Sequence, residues 1–253
     1  MISTHALFDI LIACHIITGA PGLLVFWGPV ATKKGGARHR FLGRWFAGAM
    51  IATGGFAAAM GIMTILAPMA THPHLASHPD FSDPTLVRGL FGWMMLYLAI
   101  LTVNLAWYAW LCSKNKLLHE KNRGWRNMGL QALLFAAACA CVVEGLRIGQ
   151  PMMIGISTIG FATVGTNLFF LLKSRPAPAD WLLEHIKAGV GAGISVYTAF
   201  FAFGAVRLMP ELAFAPVLWA APLTIGLSLI LYHQYQVRRR FNRPRGPAAA
   251  PAE

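Results

Sequence analysis

The chain has 253 residues, of which 57% are hydrophobic and only 12% charged, about half the charged share usual in soluble domains. This composition excludes a disordered chain, a fibrous one and an ordinary soluble enzyme, which would leave large apolar patches in water. A net charge of +12 would suit a nucleic-acid partner, but the placement of the basic residues gives the charge another role.

Seven apolar runs are long enough to cross a bilayer as helices, which takes about 20 residues each. They lie near residues 4–30, 42–70, 86–112, 128–148, 152–173, 185–208 and 212–234. Lipid offers backbone groups no hydrogen-bond partners, and the runs are too long for barrel strands, so each is expected to be helical. The first run is not expected to be a cleaved signal: no basic residue precedes it, and it exceeds the length of a signal core. The predicted fold class is therefore all-α, a polytopic transmembrane bundle of seven helices. Residues 1–237 are expected to form one transmembrane domain, and 238–253 a basic, Pro/Ala-rich cytoplasmic tail that is disordered at PRGPAAAPAE.

The segments between the runs set the orientation. Lys33, Lys34, Arg38, Arg40 and Arg44 follow the first run; Lys114, Lys116, Lys121, Arg123 and Arg126 follow the third. Lys173, Arg175 and Lys187 follow the fifth, and Arg238, Arg239, Arg240, Arg243 and Arg245 follow the seventh. These are 18 of the 21 Lys and Arg residues, and seven spans put all four segments on one face. The positive-inside rule makes that face cytoplasmic, with the N-terminus outside and the C-terminus inside, in an inner (cytoplasmic) membrane. The partner implied is the bilayer with its anionic headgroups; no nucleic acid is needed to explain the charge. No protein partner can be read from the chain.

Polar groups inside spans are costly and usually face the bundle interior. His15 lies midway along the first run, with Thr18 and Gly22 on the same face. Asn104 and Asn167 sit toward the cytoplasmic ends of the third and fifth runs, where interhelical hydrogen bonds explain them. The sixth run carries His185, Lys187, Ser195, Tyr197 and Thr198. Small residues recur, with Gly189 and Gly193 as G-x-x-x-G and Gly48, Gly54, Gly55 and Gly61 along the second run; close helix packing accounts for them. Glu144 and Arg147 are spaced to pair. Cys139 and Cys141 fall on different faces of one helix and make a poor redox pair. His72, His74, His78, Asp80 and Asp83 crowd the outer connection without a recognised ligand spacing, so a solvated, Pro-rich loop is expected and no metal site is assigned.

The most distinctive segment is Lys33-Lys34-Gly35-Gly36-Ala37-Arg38-His39-Arg40-Phe41-Leu42-Gly43-Arg44. Paired glycines permit a tight turn, and cations with a histidine surround it. An orientation signal against headgroups explains the charge; a phosphate- or carboxylate-binding corner also explains the histidine and glycines. His15-x-x-x-Gly19, Gly28-Pro29, this segment, Trp181-x-x-x-His185 and Thr198-Ala199-Phe200 together resemble a bacterial family of multi-span membrane proteins known only as a domain of unknown function. The resemblance is best over about 15–50 and 181–203. It implies a membrane fold and points to His15, Gly19, Lys34, Gly35, His39, Arg40, Gly43 and His185, but to no activity, substrate or cofactor.

The candidate ligand-binding residues are thus His15, Lys34, His39, Arg40 and His185. His39 and His185 flank their spans at the same depth and are expected to lie near each other; His15 is about 15 Å deeper. A site near the cytoplasmic face would take a small anionic or lipidic ligand or a redox cofactor. The alternatives are a b-type haem electron-transfer protein using two histidines on different helices, and a non-catalytic assembly or accessory subunit. A seven-span metal-dependent hydrolase is excluded, since the last run holds only His233 and no H-x-x-x-H. The residues alone do not decide whether the chain is an enzyme, and they name no cofactor.

Overall fold

The computed structural model describes residues 3–79, 81–204 and 216–241. Among the described residues the chain is all-helical and contains no strand. Seven long helices follow one another: α1 (Thr4–Ala31), α2 (Ala37–Leu66), α3 (Pro84–Asn115), α4 (Trp125–Arg147), α5 (Pro151–Leu172), α6 (Asp180–Ala199) and α7 (Pro216–Phe241). The first five are long and apolar enough to cross a membrane, consistent with a membrane-embedded, multi-pass protein. The other two are α6, whose first turns carry Asp180, Glu184 and Lys187, and α7, which ends on Arg238, Arg239 and Arg240. The boundary expected after residue 237 falls inside α7, which continues as helix through the three arginines to Phe241. The PRGPAAAPAE segment lies outside the described residues, as does Asp80.

Local sequence explains the helix ends. The Ser3 hydroxyl accepts a hydrogen bond from the Ala6 N–H and caps α1. Gly35 adopts φ +74° in the turn to α2, a conformation that glycine reaches without strain. Asp83 caps α3 through the Thr85 N–H, with Pro84 in the first helical turn, where its missing N–H is not needed. Gly149, at φ +68°, ends α4, and the Gln150 N–H closes back on Gly145 O at 2.8 Å. Near its start α3 widens into a π-helical stretch, Arg88–Met94. There Gly92 comes against the Ile65 backbone, while Arg88 Nε donates to Ile65 O and caps the end of α2.

Successive helices pair antiparallel. Gly22 meets Met50 and Gly28 meets Leu42 between α1 and α2; Gly54 meets Val103 and Gly61 meets Leu96 between α2 and α3. Gly191 packs on Leu105 between α3 and α6, Gly145 on Met153 between α4 and α5, and Gly226 on Ile194 between α6 and α7. This alternation gathers the described residues of the four basic segments at one end of the bundle, called here the basic end. The centre of the bundle is α3, whose Met94, Tyr97, Tyr108 and Cys112 are fully buried. Outward faces are apolar: Ile17, Leu24, Leu66 and Phe169 are at least 70% exposed, as lipid contact requires. Phe41, Trp45, Trp125 and Tyr235 are also exposed and lie toward the basic end, where an aromatic belt belongs.

Not all the small residues pack. A Cβ on Gly193 would strike Phe26 of α1, and one on Gly54 would strike Val103, whereas Gly48 and Gly55 face open space. The connection at 69–85 is more structured than a solvated loop. It forms helical turns at Pro68–Thr71 and Pro73–Leu75, buries Thr71 and Leu75, and sets His72 edge-on to Phe8 at 5.0 Å and tilted against Phe91 at 5.3 Å. No group of three or more His, Cys, Asp or Glu among the described residues is arranged to hold a metal ion. Glu144 and Arg147 form a two-pronged pair at 2.7 and 2.8 Å.

Candidate functional site

The α1–α2 turn brings Lys34, His39 and Arg40 together. Pro29 lies in the last turns of α1, whose terminal carbonyls lack helical partners. His39 Nδ1 donates to Pro29 O at 3.0 Å, and Lys34 Nζ donates to the same oxygen at 2.9 Å and to Val30 O. Arg40 turns back onto Gly35 O. Packing against the end of α1 strips water from Lys34 and lowers its ammonium below the ordinary lysine value. Lys34 and His39 therefore serve the terminal carbonyls of α1, a C-cap role that opposes the negative end of its dipole, while Arg40 serves the turn.

From the other side, α6 supplies His185. Its Nδ1 donates to Ala109 O of α3 at 2.9 Å. The His39 and His185 rings stand 6.3 Å apart, centroid to centroid, with planes at 71°. Both rings are half-buried. With Nδ1 giving its proton to a carbonyl, each neutral imidazole presents Nε2 as a lone pair, so both ring tautomers are set by the backbone.

His15 is not part of this pair. Its Nδ1 donates to Thr53 O of α2 at 3.1 Å, and Thr53 Oγ1 donates to Thr18 Oγ1 at 3.0 Å. Thr53 comes fourteen residues after His39, about 21 Å along α2. The His15–Thr18 face thus joins α1 to α2 deep in the bundle.

Beside His185 the structure holds groups that residue-by-residue reading of the sequence left unassigned. Tyr108 Oη donates to Glu184 Oε2 at 3.0 Å, and Lys187 Nζ donates to the same oxygen at 2.6 Å and to Thr166 Oγ1 at 3.0 Å. Tyr108–Glu184 and Ala109–His185 are consecutive contacts between α3 and α6, so the carboxylate helps fix the turn that carries His185. The signal available in the sequence is Glu184 three residues before Lys187, a spacing that pairs them on one helix face. Tyr197 ties α6 to α1, accepting from Trp27 Nε1 at 2.7 Å and donating to Leu23 O at 2.8 Å. Asn104 and Asn167 are fully buried and bonded to each other at 3.4 Å.

No family model, no curated protein and no solved structure matches the chain. The resemblance to a membrane family of unknown function therefore rests on the quoted residues alone.

Proposed function

We propose that this is a seven-span inner-membrane protein whose His39 and His185 together ligate a metal-centred redox cofactor, with b-type haem the candidate to test first. The observation that carries the reading is the His39–His185 pair: two imidazoles on different helices, 6.3 Å apart, each with Nδ1 bound to a backbone carbonyl. Metal-ligating histidines characteristically donate their second ring nitrogen in this way. The two Nε2 lone pairs that those carbonyl bonds leave free are the atoms that would hold the metal.

Bound haem would supply one-electron chemistry; the rest belongs to the chain. Pro29 O and Ala109 O hold the ring orientations and raise the basicity of Nε2. The Tyr108–Glu184–Lys187 group steadies the α6 turn beneath His185. The two lone pairs argue against an anion at the same place, since an anion requires donors.

A second reading is favoured by the basic turn itself. Lys33, Arg38 and Arg44 share the segment with Lys34 and Arg40, and an anionic headgroup there would suit a C-terminus and basic tail on the cytoplasmic side. The distribution of 18 of 21 basic residues supports that orientation, with the N-terminus outside.

The optical spectrum of the purified protein tests the main reading. A Soret band with sharp visible bands on reduction is expected; a protein that stays colourless after expression with added haem precursor overturns it.

A further inference from the structure

The histidine site does not account for the polar centre of the α3–α4–α5 group. Asn104, Gln131 and Asn167 come from three different helices, and each is at most 1% exposed. Asn167 Nδ2 donates to Asn104 Oδ1 at 3.4 Å and to Gln131 Oε1 at 3.2 Å, while Asn104 Nδ2 donates to Leu130 O at 3.3 Å. That leaves Gln131 Nε2 and Asn167 Oδ1 buried without partners. One turn earlier on the same face of α4, Asn127 donates to Asn122 O at 2.8 Å and leaves its Oδ1 unpartnered. Each such atom costs about 1–3 kcal/mol when dry, and native cores hold few of them. Exchanging the amide oxygen and nitrogen of both Gln131 and Asn167 does not help: each still has one orphan atom, and Asn104 Oδ1 loses its donor.

The three orphans are one donor, Gln131 Nε2, and two acceptors, Asn127 Oδ1 and Asn167 Oδ1. That set is the complement of a molecule that accepts once and donates twice. Residues four apart on a helix have Cβ atoms about 5–6 Å from each other, the span of two hydrogen bonds through a single oxygen. A cation would meet the Gln131 N–H, and an anion would meet two amide oxygens. We infer that this cluster is an internal binding site for one small uncharged hydroxylic molecule, with water as its resident, bridging Asn127, Gln131 and Asn167. Buried polar sites of this kind hold ordered water that is costly to remove.

A route in is also marked. Asn122, in the connection at the basic end, has its own unpartnered Nδ2. From there Asn122, Asn127 and Gln131 run inward, to about 9 Å along α4. The site is independent of the histidine pair and of any cofactor.

Hydroxyl-radical footprinting of the full chain in detergent, with a rapid switch from ¹⁶O to ¹⁸O water, tests the inference; the probe is water itself. Radicals born on a bound water modify adjacent side chains even when these are buried. Leu134 of α4, which is fully buried, is expected to be modified severalfold above its dry-core level. That level is set by its labelling relative to Tyr97, which is fully buried with its hydroxyl satisfied on Ile156 O. Part of the added oxygen should remain ¹⁶O after the switch. The pair Gln131→Met and Asn167→Leu should return Leu134 to the dry-core level. Native modification at that level means a dry cluster and overturns the site; so does modification that survives both substitutions. If the double variant does not fold, the native measurement decides alone.

Discussion

At Gly193 α6 packs on α1 with no room for a side chain, and replacing it by alanine puts a number on that contact. A Cβ at this position would lie 2.2 Å from Cε2 and 2.6 Å from Cζ of Phe26. Phe26 has nowhere to retreat: it is 5% exposed, with Trp27, Phe46 and Tyr197 ring centroids at 5.3, 5.5 and 5.9 Å. The helices must part by on the order of 1 Å, and overpacking of this kind costs about 1–3 kcal/mol. Gly189, one turn earlier on the same helix, is the control, since its Cβ would meet only Ala109 Cβ at an ordinary 3.8 Å. Both changes gain the same helix propensity, about 1 kcal/mol, so the difference between the variants isolates the clash. Thermal unfolding in one detergent, followed by circular dichroism, should place Gly193→Ala below Gly189→Ala by roughly 5 °C. Adding Phe26→Leu to Gly193→Ala should recover part of the loss, because the two residues share the contact. If Gly193→Ala melts at or above Gly189→Ala, the α1–α6 packing described here is wrong.

At the end of the bundle opposite the basic segments, burial beside Phe8 and Phe91 and the nearby His74 and His5 charges push the His72 imidazole down to about 4 from 6.5, against the hydrogen bond to Pro68. The neutral ring is the form the fold favours, so its contribution is complete above pH 6.5 and is lost as the pH falls toward 4. After discounting for partial exposure the loss is about 1–2 kcal/mol; the parent should lose more melting temperature than His72→Gln between pH 7 and pH 4.5, and equal slopes contradict the assignment. A cytoplasmic reporter fused after Phe241 should be active and a periplasmic one silent; the reverse result removes the proposed orientation. His15→Leu removes the hydrogen bond to Thr53 O and should lower stability by about 1 kcal/mol, whereas His15→Gln should retain most of it. Leu and Gln variants of equal stability would show that the bond contributes nothing.

The sequence made the helical runs and the basic end legible because both follow from long-range averages: apolar length and the sorting of Lys and Arg. His39 and His185 could be matched by depth, since each sits near a span end on the same side. Their committed Nδ1 atoms could not be anticipated, because the acceptors, Pro29 O and Ala109 O, are backbone groups without a sequence signature. The same applies to Lys34, which donates to Pro29 O and Val30 O at the end of α1, and to Arg40, which donates to Gly35 O in the turn. Gly54 and Gly48 are equivalent in composition; only the helix rotation shows that one meets Val103 and the other open space. Gln131 was overlooked although it is an amide within a span like Asn104 and Asn167, the same signal that singled those out. The π-helical turn at Arg88–Met94 follows from tertiary fit of Gly92 against Ile65, which local propensity does not encode.

If His39 and His185 hold one haem between them, its spin state tests that pairing most directly. The parent protein should be six-coordinate and low-spin by electron paramagnetic resonance and visible spectroscopy. His39→Ala and His185→Ala should each convert it to a high-spin form or lose the haem, while His15→Ala should leave the low-spin signal intact. A low-spin spectrum that survives loss of His39 or His185, or that disappears with His15 alone, contradicts the account.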